Sequence, residues 1–167
     1  MRYPDYLALE GWCSIALGLA LALVSFPGLL LDWDGAAYGL LFVPAVLVLL
    51  GGFAALRRGV SPFDAGAWLT ARPLSRVTAG RAPLNPERLR ARLVGETALW
   101  IIAVTAWVLV GATDGLVIFG TGLASAAYGA VQAFAARPRA ARVERERREE
   151  YLVAERPGLG LPQLTTA

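Results

Sequence analysis

A chain of 167 residues that is 56% hydrophobic, has no histidine and carries one cysteine is suited to an apolar solvent and poorly equipped for side-chain chemistry. The missing histidine excludes histidine acid–base catalysis, histidine-ligated haem and the usual zinc sites, and the single Cys13 excludes an intrachain disulfide. All sixteen basic residues are arginine and the net charge is +3, but the arginines flank long uncharged runs and form no base-reading motif, which argues against a nucleic-acid partner.

Four runs carry no charge at all: residues 11–31, 35–56, 97–113 and 115–136. About 20 apolar residues are needed for a helix to cross a bilayer. The pattern predicts an all-α integral membrane protein with four transmembrane helices arranged as two hairpins, spans 7–31, 37–56, 94–112 and 116–136. The basic residues lie before the first span, in the loop 57–93 and after the fourth span, whereas the two short loops hold only Asp32, Asp34 and Asp114. The positive-inside bias therefore places both termini and the loop in the cytoplasm. Arginine without lysine reads as GC-rich coding, and with the compact chain it points to a bacterial cytoplasmic membrane. Anionic headgroups are the expected partners of Arg57, Arg58, Arg88, Arg92 and Arg137, which border the spans.

The lead MRYPDY offers Tyr3 and Tyr6, with Trp12 beyond, to an interfacial aromatic belt. Asp5 and Glu10 beside a long apolar run argue against a cleaved signal. Cys13 reads as a small buried hydrophobe. Pro27-Gly28 is expected to kink or fray the end of span one, and Pro44 to bend span two. Each hairpin turns at Asp-Gly, and each Asp stands 23 positions before the next arginine. Membrane thickness and charge placement explain that similarity as well as duplication does.

In the loop, Ser61-Pro62-Phe63-Asp64 has the look of a helix start with Ser61 as cap. Phe63, Ala67, Trp68 and Ala71 would then form an amphipathic segment on the inner leaflet; the alternative is a mobile loop. Residues 72–84 read as irregular chain. Asn85-Pro86-Glu87 opens a helix without a breaker to about Val110, so two turns bearing Arg88, Arg90 and Arg92 should project below span three. Residues 1–138 form the transmembrane domain, and 139–167 a charged cytoplasmic helix and flexible tail. That helix offers Arg142–Glu146, Glu144–Arg148 and Arg145–Glu149 at i,i+4 spacing. The tail PGLGLPQLTTA is expected to be disordered unless it docks.

Glu10 and Glu96 are the acids nearest the inner ends of spans and form the candidate ion or proton site, because an ionisable group in the bilayer is costly and functional by default. The competing reading is structural: Arg92 stands four residues before Glu96, and Glu10 can meet Arg57 or Arg58. In outline, YLALEGW resembles the first-span glutamate of the small multidrug resistance transporters, which have four short spans. The loop of over thirty residues after span two departs from that pattern, so the resemblance covers one glutamate and a helix count and assigns no family.

Span four carries small residues at interface spacing. Gly120, Gly122, Ala124, Ser125, Ala126 and Gly129 form a candidate helix-packing face, serving either this bundle or a second subunit. Tyr128 puts a hydroxyl at mid-span that needs a partner. Trp100 and Trp107 share a face of span three, for packing or for a flat ligand. No metal, cofactor, nucleotide or nucleophile motif is present. The expectation is a non-enzymatic accessory or scaffold subunit that meets other membrane subunits or its own copies. The alternative is a small oligomeric transporter or channel using Glu10 and Glu96.

Overall fold

The computed structural model describes residues 1–31, 64–109, 115–155 and 162–167. The second predicted span, Pro44, the two outer turns, Arg57, Arg58 and Ser61 to Phe63 lie outside the described residues. The described chain is mostly helical. Helix α1 runs Tyr3–Leu31, α2 Ala65–Leu74, α3 Pro86–Leu109 and α4 Gly115–Val131. A π-helical turn, Gln132–Ala136, joins α4 to α5, Arg137–Arg147. Strands β1, Tyr151–Glu155, and β2, Gln163–Thr166, form an antiparallel hairpin.

Each start has a local cause. Pro4 and Asp5 open α1, where a proline loses no helical hydrogen bond and an acid favours the positive end of the helix. The Asn85 side chain accepts from the Glu87 N–H at 2.9 Å, making the predicted cap of α3. Asp64 caps α2: its Oδ1 accepts from the Ala67 N–H at 2.9 Å, and the expected cap Ser61 lies outside the described residues. Helix α1 continues through Pro27 to Leu31.

Among the described residues two helical stretches are long and apolar enough to cross a membrane, Tyr3–Phe26 and the continuous Val117–Arg147. Only 22% and 33% of their apolar windows is buried inside the protein, unlike the core helix of a water-soluble fold. Leu23 is 74% exposed, Leu99 and Ile102 68% each, and Phe134 66%. Side chains of that size on three different helices give the bundle an apolar exterior.

The largest buried cluster lies at the base of the bundle rather than midway along it. Tyr3, Tyr6 and Leu7 of α1 meet Leu89 and Leu93 of α3, Ala136 and Ala140 around the π turn, and Tyr151, Val153 and Leu164 of the hairpin. Five separate segments thus share one small core.

The C-terminal region departs from the all-α expectation. The charged helix ends at Arg147, because Arg148 takes a left-handed conformation with φ 56°. Among the described residues none of the three expected i,i+4 pairs forms: two of them straddle this stop, and Glu144 turns inward. The tail is not a flexible extension over 163–166; β2 pairs with β1, and Leu164 and Thr165 are buried. The segment read as irregular after Arg72 stays helical to Leu74 and then docks on the hairpin. The Thr78 N–H donates to the Leu164 carbonyl at 2.9 Å, and the Leu84 N–H to the Val153 carbonyl at 2.9 Å. These bonds and the Arg2–Leu152 bridge occupy backbone groups that a bare hairpin would leave open.

Candidate functional site

Helix α1 packs chiefly on α4, antiparallel, along a seam lined by glycine, alanine and serine. Gly11 faces Gly129 and Gly18 faces Gly122. A Cβ at Gly11 would lie 2.7 Å from the Gly129 carbonyl oxygen, and one at Gly122 2.7 Å from that of Gly18. Both helices therefore carry glycine at a seven-residue interval, which is two turns and so one face. Ser125 adds a polar stitch, its hydroxyl donating to the Ser14 carbonyl at 3.0 Å. Of the predicted packing face, Gly122, Ser125, Ala126 and Gly129 are used inside the molecule against α1, and Gly120 is buried as well. Ala124 is half-buried. Gly11 and Gly18 are the half of this seam that sequence reasoning missed; their spacing, matching Gly122 and Gly129, was the available signal.

At the seam's lower end the helix loosens into its π turn. Gln132 is buried there, and its amide donates to the Tyr128 hydroxyl at 2.5 Å. That answers the expectation that Tyr128 needs a partner. The other amide atom of Gln132 has no hydrogen-bond partner among the described residues. On the outer side of the same turn Ala135 receives α2: a Cβ on Gly66 would lie 2.6 Å from its carbonyl oxygen. Gly66, Ala67, Thr70 and Pro73 are buried against this region. Arg139 donates to Asp64 at 2.6 Å, so the residue that caps α2 also clamps it to α5. The amphipathic segment expected to lie on the inner leaflet is therefore packed on protein, with Trp68 half-buried.

The candidate carboxylates sit on different helices. Glu96, on α3, accepts from Arg92 at 2.6 Å, the i,i+4 pair its spacing offers. Glu10 is half-buried on α1. Helices α1 and α3 pack together, yet no group of three or more acids or cysteines able to hold a metal gathers among the described residues. Trp100 is exposed on α3, and the Trp107 side chain lies outside the described residues. Cys13 is a half-buried free thiol packed against the basal core.

The strongest polar constellation is one the sequence did not announce. Glu144 is 4% exposed; one carboxylate oxygen accepts from Arg2 at 2.7 Å and the other from the Tyr151 N–H at 3.1 Å. Arg2 also reaches Glu150 at 3.8 Å, and the Val153 N–H donates to the Met1 carbonyl at 3.0 Å. The hydrogen bond to Glu144, then that carboxylate's charge, pushes the Arg2 guanidinium further up and keeps it cationic. A buried carboxylate needs such partners, since an unpaired one would cost several kcal/mol, on the order of a whole domain's margin. This clasp ties the N-terminus, α5 and the hairpin into one basal cap.

No family model, no curated protein and no solved structure matches this chain.

Proposed function

We propose that the chain is a four-span membrane protein of a bacterial cytoplasmic membrane, both termini inside, acting without catalysis as an accessory or scaffold subunit. The observation that supports this reading most is the division of the molecule along its long axis. Leu19, Leu23, Leu99, Ile102 and Val117 clothe the helices, and below them lies a cap in which Arg2 is paired with Glu144 and Arg139 with Asp64. Exposed aliphatic side chains belong in lipid, and an arginine-rich cap belongs on the cytoplasmic side. The expected span 37–56 would pair with α1 as the first hairpin. Arg88, Arg92 and Arg137 then meet the inner headgroups.

The small-residue seam is committed to α1, so partners are met through other surfaces: the apolar exterior of α3 and the outer face of the cap. A transporter using Glu10 and Glu96 is the second reading. It is the less favoured because Arg92 already neutralises Glu96, and a carboxylate held by a fixed guanidinium is a poor cation ligand.

Solubilisation in mild detergent and capture of the tagged chain tests the proposal: a stoichiometric membrane partner or a defined homo-oligomer is expected, and a monodisperse monomer sinks it. Glu10→Gln and Glu96→Gln in proteoliposomes test the alternative, which requires at least one of them to abolish a measured cation or proton flux.

A further inference from the structure

Trp12 and Phe134 project together from the lower end of the α1–α4 seam. Gly11 sits against Ala133 there, and the next residue on each helix points outward: Trp12 is 56% exposed and Phe134 66%. Their rings meet edge to face with centroids 5.7 Å apart. Two large aromatics turned outward as a pair conflict with water; the Trp12 indole, apolar in its ring and polar at its N–H, suits the headgroup boundary, and the wholly apolar Phe134 ring suits the acyl chains beside it. Arg137 follows Phe134 by about one turn of the same continuous helix and is exposed. Arg2, Arg92 and Arg139 are each bound to an acid, whereas Arg137 makes no ion pair among the described residues. The acid nearest to Arg137 in sequence, Glu144, is bound to Arg2, and Glu10 lies two residues before Trp12, about 200° round α1 from it. The uncharged run of α4 ends at Ala136 and the arginines begin at Arg137, so this guanidinium stands where phosphates would lie.

We propose that Trp12, Phe134 and Arg137 form a seat for one anionic phospholipid, its acyl chain against the aromatic pair and its phosphate on Arg137. The proposal rests on the membrane reading above and names which part of the surface selects lipid. One arginine at the membrane surface supports about a fivefold preference for an anionic over a zwitterionic headgroup.

The test uses the full chain in mixed phosphatidylcholine–phosphatidylglycerol vesicles in which one lipid or the other is brominated. The Trp12 contribution to fluorescence is taken as the difference from Trp12→Phe. Brominated phosphatidylglycerol is expected to quench it about fivefold more effectively per mole fraction than brominated phosphatidylcholine. Arg137→Gln should bring the ratio to about one, and Arg145→Gln, two turns further along α5, should leave it unchanged. Equal quenching in the native chain, or a preference that survives Arg137→Gln, overturns the seat while leaving the membrane reading standing. Loss of the preference in added inorganic phosphate also overturns it, by marking a general anion site. No quenching by either lipid overturns both readings.

Discussion

At the scale of single residues, two glycines make opposite demands. Gly122 has no room for a Cβ, with the Gly18 carbonyl 2.7 Å from where it would stand, and relief would require the two backbones to part. Gly95 on α3 has nothing within 4 Å of the same position. Gly122→Leu is therefore expected to cost about 1–3 kcal/mol by overpacking, read as a lower melting midpoint in detergent. Gly95→Ala should stabilise by up to about 1 kcal/mol through helix propensity alone. Similar effects from both changes would show that the seam is not close-packed. Glu144 presents a second contrast. Arg2 is half exposed, and an exposed ion pair by itself contributes little. Its partner is buried, however, so Arg2→Gln leaves a charge without its cation and should lower the melting midpoint more than loss of a surface pair does. Adding Glu144→Gln should recover part of the loss, because the neutral amide can still accept from the Tyr151 N–H. A double-mutant cycle by thermal unfolding measures the coupling; an Arg2→Gln midpoint equal to that of the native chain would count against the clasp.

Among elements, the hairpin acts as the closing piece of the cap. Leu164 is fully buried between β1 and the segment after α2, and its carbonyl holds the Thr78 N–H. Leu164→Ala should cost about 2–5 kcal/mol of cap stability and expose residues 75–85 to protease, while the helical signal in circular dichroism stays near native. Loss of the whole helical signal would mean that the bundle cannot stand without its cap. The π turn belongs to the same logic. One extra residue in the turn accompanies the buried Gln132 amide and sets the Ala135 carbonyl against Gly66 of α2. A regular α-helix from Gly115 to Arg147 would rotate one side of this joint relative to the other, separating the α1 seam from the α2 contact.

For the whole molecule, the division into an apolar shaft and a charged cap makes topology the decisive measurement. Starting from a Cys13→Ser background, Ser75→Cys and Arg145→Cys should react with an impermeant maleimide only after the inner face is opened. Asp34→Cys and Asp114→Cys should react from outside in intact cells. Labelling of all four from one side would refute the four-span arrangement, whatever the fate of the accessory role.

Hydropathy and charge, read without any structure, determined the long apolar helices, the cap at Asn85 and the Arg92–Glu96 pair, since each depends on residues within a few positions of one another. The small residues of α4 were legible as a packing face, but not whose helix they would meet: Gly11 and Gly18 lie more than a hundred positions away, and only the folded chain pairs the two seven-residue intervals. The tail was expected to be disordered unless it docked, and what it docks on was hidden for a related reason. Gln163–Thr166 has too few apolar residues to fold alone, and it becomes a strand because Tyr151 to Glu155, Thr78 and the basal core supply its hydrogen bonds and its burial. The inward turn of Glu144 likewise meets a partner far along the chain, Arg2, 142 residues distant. Local periodicity is written in the chain; the choice of long-range partner is decided only when backbones approach closely enough for buried backbone groups such as the Tyr151 N–H to meet an acceptor.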